Sequence, residues 1–434
     1  MLVALAAIGV PAAVLTATCV GRSCDASGGE AVRVPFCPLP ETVKDGIESG
    51  FREGRSPDVL GVADGTPVFT DVDGLRVPWP AAGTLTDPRV PIVFAGAGVA
   101  GDADVPDGTT LDRVAPTVSD ILGFKRDHPE VRSGTAVVGV ANGELPRLVL
   151  LVGWKGVGSS ELETHQENWP FLASMLDDGS GTLEGETGSL PIDPAATLTT
   201  VGTGGLPSQH GITGSFIRNG QGEVVESFLP GFPVEDGQII ATLADDLDDA
   251  NHATLVGLVA TDERDRGIVG GGWYPGEDPV DVVIGDSAAA PLAVEVHLTT
   301  GYGADDVADV LGVVLQGRVR AMDRWTREIV TEAERATSGS TLVVVTGTGS
   351  VEASRLAVPD GELVDAVEDA VPGDAPAVAV TVAGGVFLNQ AVLREEQVTG
   401  QVAVDAMLSA TGPDGERMLA DAFQGFAVSF ARYC

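Results

Sequence analysis

The feature that most restricts the fold is a set of short runs that stay apolar from end to end. RLVLLVGWKG (Arg147 to Gly156), VPIVFAGAG (Val90 to Gly98) and TLVVVTGTG (Thr341 to Gly349) show no polar–apolar alternation. A strand with one wet face alternates, whereas one that is apolar throughout is covered on both faces. Helical segments lie between these runs. LDRVAPTVSDILGF (Leu111 to Phe124) places Val114, Val118, Ile121 and Leu122 at helical spacing, with Pro116 in its first turn. Another short helix packs Phe171, Leu172, Met175 and Leu176. Strands alternating with helices over 434 residues predict an α/β fold. The expectation is three layers, a mostly parallel central sheet with helices on both faces, in one domain spanning 31–434.

Other stretches are assigned on weaker patterns. Leu190 to Gly214, LPIDPAATLTTVGTGGLPSQHGITG, reads as a Gly/Thr-rich loop at the edge of the sheet. Ala288 to Gly303 reads as an Ala-rich strand that contains His297, and Asp309 to Ala336 as one long helix with Asp305 and Asp306 as its N-terminal charge. Met418 to Cys434 reads as a helical tail.

Charge excludes one class of partner. Against 63 Asp and Glu stand 25 Lys and Arg, a net charge of −38, which repels phosphate backbones and anionic lipid. Nucleic acid is therefore not expected as a partner, and the surface reads as an adaptation to salt or to an extracellular setting. Leu2 to Val20 is apolar and is followed by Arg22 and a polar stretch, so residues 1–30 read as a secretory signal, with a retained membrane anchor as the other possibility. The expected location is secreted or cell-envelope, with membrane contact only through that segment. Cys19, Cys24, Cys37 and Cys434 lie near the two ends of the chain. They lack zinc-site spacing and read as structural disulfides, with three pairings open.

The Leu190–Gly214 stretch resembles the alkaline phosphatase superfamily, particularly its nucleotide pyrophosphatase/phosphodiesterase branch. Thr203, Gly204, Pro207, His210, Gly211 and Ile212 match the second half of the pattern T-x-P-N-H-x-T-L-x-T-G-x-x-P-x-x-H-G-I. The family's C-terminal patterns are matched near the start of this chain. Gly54, Arg55, Ser56, Asp58 and Val59 match the G-R-S-G-D-V strand; Val90, Pro91, Phe94, Gly96 and Gly98 match V-P-L-I-F-x-G-x-G; Asp112, Ala115, Pro116, Thr117, Leu122 and Gly123 match the helix that follows. The order implies a circular permutation, with 31–135 corresponding to the family's C-terminal part, 146–434 to its N-terminal part, and a polar joint between them. The resemblance further implies that Cys434 lies near Cys37, so that a Cys37–Cys434 bridge would join those ends.

The family's chemistry needs two metal ions, usually zinc, flanking a Thr or Ser nucleophile, and so needs carboxylate and imidazole ligands. Position by position, this chain departs from that set. The strand-ending Asp is Lys155, preceded by Trp154. The nucleophile falls on Pro194, or on Ile192 if the loop is longer, with Thr197, Thr199 and Thr200 as nearby hydroxyls that read as packing. The S-D-H-G loop is replaced by Thr346, Gly347 and Thr348, and the C-terminal His by Pro80, next to Trp79. His210 matches a family His that is structural, and His297 reads as a satisfied strand residue.

The resemblance therefore implies an alkaline phosphatase-like fold without phosphoesterase activity, needing no cofactor and acting as a binding or scaffold protein for a small molecule or protein. Trp79, Trp154, Lys155, Thr203 and His210 would line the former cleft, with Pro80, Asp193, Pro194, Thr197, Thr346 and Thr348 as its vestigial positions. The alternative is a divergent zinc-dependent phosphodiesterase or phosphatase using Asp193, Asp286, Asp305 or Asp306.

Overall fold

The computed structural model describes residues 34–83, 86–101, 103–228, 237–271, 273–274, 279–352 and 354–434. Cys19, Cys24 and the apolar Leu2–Val20 run lie outside them. Residues Pro35–Cys434 form one compact unit. Its first part contains α1 (Glu41–Gly50), β1 (Val59–Ala63), the hairpin β2 (Val68–Val72) and β3 (Leu75–Pro78), then β4 (Arg89–Gly96) and α2 (Val114–Ile121). Next come β5 (Leu148–Lys155), α3 (Ser159–Thr164), α4 (Pro170–Asp178), β6 (Ser180–Glu186), α5 (Pro194–Thr203) and α6 (Pro207–His210). They are followed by β7 (Phe216–Arg218), β8 (Val224–Glu226), α7 (Leu243–Ala250), β9 (Val256–Ala260), β10 (Asp281–Ile284) and α8 (Ala290–Thr299). The remainder is β11 (Asp309–Gln316), α9 (Val319–Thr337), β12 (Thr341–Gly347), β13 (Val358–Pro359), α10 (Gly361–Ala370), β14 (Val378–Val382), β15 (Gly385–Leu388), α11 (Gln390–Glu395), α12 (Gly400–Ser409) and β16 (Leu419–Gln424).

The uninterrupted apolar runs form the centre of a seven-stranded sheet in the order β10-β9-β11-β5-β12-β4-β6. From β10 to β12 every pairing is parallel, while β4 is antiparallel to both β12 and β6. All eight residues of β5 are buried, as the lack of alternation requires. Its side chains divide between two cores. Val149 and Leu151 pack with Val114, Val118, Leu198 and Leu243 from α2, α5 and α7. Leu150, Val152 and Trp154 pack with Leu172, Val294, Met322 and Ile329 from α4, α8 and α9. The fold is thus α/β, with a mostly parallel central sheet flanked by helices. A second sheet, β14-β15-β1-β16, is antiparallel and packs beneath α10 and α12 through Leu363, Val367, Val404 and Met407.

Four assignments are corrected. The Gly/Thr-rich stretch is helical over Pro194–Thr203, because Asp193 accepts a hydrogen bond from the Ala195 amide as N-cap and Pro194 occupies the first turn. Its glycines serve packing: a Cβ on Gly202 would lie 2.3 Å from the Gly267 carbonyl oxygen. The segment around His297 is helix α8, not a strand. Apolar residues lie on its exposed as well as its buried side, Leu292 and Val296 against Ala290 and Val294, so periodicity could not separate the two, while Asp286 and Pro291 supply a helix start. Asp309–Gln316 is strand β11, ended at Gly317, and the long helix begins only at Val319. Asp305 and Asp306 therefore precede a strand. Finally, the tail is strand β16 followed by a 3-10 helix at Gly425–Tyr433.

Cys37 and Cys434 form a disulfide with Cα atoms 5.1 Å apart, as expected from the order of the matched segments. Around it, Phe36 stacks edge-on against Phe423 of β16, and β16 pairs with β1.

Candidate functional site

In open α/β sheets, chemistry collects at the C-terminal ends of parallel strands. Here that edge is formed by the ends of β9, β11, β5 and β12, with Gln316 in register with Lys155, and Gly347 with Trp154. Lys155 is the last residue of β5, and its side chain is 1% exposed. Its ammonium lies 2.8 Å from Asp265 Oδ1 and 3.0 Å from Asp73 Oδ2. Burial pushes that ammonium down, but the Asp265 and Asp73 carboxylates outweigh it and hold the group above the ordinary lysine range.

Asp73 arrives from far away in sequence. It and Gly74, both with positive φ, form the two-residue turn of the β2–β3 hairpin, a conformation that Asp-Gly favours. The turn lies over the sheet edge, held by Lys155, by Gln316 Nε2 donating to the Asp73 carbonyl (2.9 Å), and by Arg264 on the other carboxylate oxygen. Arg264 also donates from Nε to Asp262 Oδ1 at 2.7 Å. Asp262 and Asp265 are the N-cap and N3 residues of the 3-10 helix Glu263–Ile268, so a capping box fixes both carboxylates. Three carboxylates and two cations close the edge. The Asp-Gly turn and the Asp-x-x-Asp cap were the local signals for these residues; their convergence on Lys155 had none.

The expected site positions are placed as follows. Trp79 and Trp154 are 1% and 0% exposed, and line no cleft. Trp154 Nε1 donates to Thr326 Oγ1 beneath α9, and Trp79 Nε1 to Thr70 Oγ1. The resemblance placed both beside site positions, but both fill cores. Pro80 is buried, with its carbonyl accepting from the Ala63 amide. Asp193 caps α5 and accepts from Ser215 Oγ; its burial holds the carboxyl above the usual range. Pro194 is the first residue of α5, and Thr197 is buried within it. Thr203 donates back to the Thr199 carbonyl. Thr348 lies at the closed edge, its hydroxyl accepting from the Gly156 amide at 2.9 Å. Thr346 is buried, with no hydrogen-bond partner for its hydroxyl among the described residues.

His210 is wholly buried and lines no cleft either. The Ile212 amide donates to its Nδ1 at 3.2 Å, which leaves the proton on Nε2, 3.1 Å from Thr200 Oγ1. Burial pushes its pKa down to about 3. The unfolded chain then binds more protons than the folded one between that value and the ordinary histidine value, so this contribution is complete above pH ~6.5 and is lost as pH falls. Acidification from pH 7 to pH 5 is expected to lose about 2 kcal/mol through His210 alone. Chemical denaturation of His210→Gln at the two pH values checks this: an unchanged pH slope in the variant would assign the loss elsewhere.

The donor set at the edge does not fit zinc. An ammonium and a guanidinium occupy the position where ligands would converge, and neither coordinates a cation. Among the described residues, no group of three or more His, Cys, Asp and Glu side chains is placed to hold a metal ion. The carboxylates proposed as relocated ligands are dispersed. Asp286 accepts from the Ala288 amide, Asp305 from the Val307 amide, and Asp306 pairs with Arg147. His297 Nδ1 lies 2.9 Å from the Ala293 carbonyl on α8.

Solved structures similar to this chain include the following. Alkaline phosphatase PafA is 13% identical over 64% of this chain and 84% of its own, with a TM-score of 0.42. Phosphonoacetate hydrolase from Sinorhizobium meliloti 1021, solved with phosphonoacetate, is 15% identical over 48% of this chain and 58% of its own, with a TM-score of 0.33. No protein-family model matches the sequence, and no curated protein does.

Proposed function

We propose that this chain is a circularly permuted relative of the alkaline phosphatase-like superfamily that serves as an extracytoplasmic binding or scaffold protein rather than as a phosphoester hydrolase. The observation that carries the reading is Lys155: an ammonium bound to Asp73 and Asp265 fills the strand end at which the family pattern puts a metal-binding Asp. The permutation is supported by β4, which precedes β5 in sequence yet lies beyond β12 in the sheet, and by the Cys37–Cys434 junction. A disulfide suits an oxidising compartment. Among the described residues, no helix is long and apolar enough to cross a membrane.

The test is zinc content of the chelator-washed protein, measured together with hydrolysis of bis(p-nitrophenyl) phosphate. Washing matters because a net charge of −38 gathers loose cations. The expected result is less than one tightly held zinc per chain and no turnover with or without added zinc. Two retained ions with turnover would replace this reading with the hydrolase one.

A further inference from the structure

A cavity of about 410 Å³ is lined by none of the residues of the closed edge. The cavity lies beside the C-terminus of α5, whose Thr203 carbonyl accepts from Arg126 and Arg132. Pro116, Phe124 and Ala136 supply its apolar wall, and Lys125, Arg126 and Arg132 its basic one; Asp120 is the single carboxylate of the lining. In a chain of net charge −38, a concave surface with three cations against one anion is a local reversal of sign.

The two arginines are fixed before any ligand arrives. Arg126 Nε lies 2.5 Å and Arg132 Nη2 3.2 Å from the same oxygen of Asp246, so two guanidinium groups share one carboxylate. Both also donate to the Thr203 carbonyl at the C-terminus of α5 and to the Ala241 carbonyl. Arg132 spends its five N–H donors on these groups and on the Asp127 and His128 carbonyls. Arg126, itself 7% exposed, spends three, which leaves two N–H donors without an acceptor among the described residues. A buried cation with donors to spare, beside an apolar wall of this volume, has the chemistry of a site for an amphiphilic anion.

We propose that this cavity binds a small organic carboxylate with an apolar tail, the carboxylate on Arg126 and Lys125 and the tail against Pro116, Phe124 and Ala136. The proposal uses no residue of the closed edge and stands apart from the family reading. Isothermal titration with decanoate tests it, with 1-decanol and decyltrimethylammonium as the uncharged and cationic probes. Saturable one-to-one binding of decanoate alone is expected. Ala136→Phe, which fills the cavity, should abolish it, and Lys125→Glu on the exposed rim should weaken it at least about tenfold, about 1.4 kcal/mol. Binding of decanol as tight as that of decanoate, no saturable heat with decanoate, or an isotherm unchanged in a folded Ala136→Phe protein would each overturn the proposal. If Ala136→Phe does not fold, Lys125→Glu decides: equal affinity sinks the idea.

Discussion

Replacing Lys155 by Met is expected to destabilise the protein by about 3–5 kcal/mol, because it leaves Asp265 buried without its cation. Among the described residues, Asp265 keeps hydrogen bonds only from Thr261 Oγ1 and the Asp262 amide, both on one carboxylate oxygen; its other oxygen faces Lys155. Asp73 would keep Arg264, so most of the loss belongs to Asp265. Adding Asp265→Leu to Lys155→Met should restore part of the stability, with a coupling energy of about 2–3 kcal/mol in the double-mutant cycle. Urea denaturation of the four proteins measures it. A loss below about 1 kcal/mol for Lys155→Met, the value of an exposed pair, would show that water reaches the cluster and that the edge is open. Alkali should act similarly. Lys155 is raised above its unfolded value, so its stabilisation is complete below pH ~10.4 and is lost as pH rises through the folded value.

The second large effect is expected at the disulfide. Cys37→Ser with Cys434→Ser should lower stability by about 2–5 kcal/mol, since the bridge constrains an unfolded chain of 397-residue separation. The loss should be local first. In the 3-10 helix Gly425–Tyr433, Val428 and Ala427 pack in the cluster with Val43 and Ile47 of α1, while Phe36 packs on Phe423. Hydrogen exchange with and without reductant is the measurement. Faster exchange across β16 and β1 under reduction, with β5 and β12 unchanged, is the expected pattern. Equal protection of β16 in both states would mean that the bridge adds nothing to the docking of the tail.

The central strands were legible because burial on both faces leaves one signature, a run without alternation. β5, β12 and β4 carry it, and α2 and α4 carry the helical period. At Asp309–Gln316 the same signature marks a strand that runs directly into the helical pattern after it, and at Ala290–Thr299 it misleads. Both are apolar runs of similar length, and only Gly317 after the first and Asp286 before the second separate strand from helix. At the site, sequence showed what Lys155 is not, but not what it does. Its partners lie 82 residues before it and 110 after it, and no local pattern encodes a convergence produced by the fold. The tryptophans show the same limit, because a matched sequence position does not say which way a side chain points.

The position of β4 has a consequence for synthesis. Its neighbours in the sheet are β12 and β6, and β12 ends at Gly347. A ribosome adding about 5–20 residues per second needs roughly 12–50 s to go from the end of β4 to β12. For that interval the apolar side chains of Val90, Ile92 and Phe94 have no finished sheet to enter. β1 waits longer still, until β15 and β16 are made. Both strands complete their pairing late in synthesis, and the Cys37–Cys434 bridge can form only once Cys434 has been added.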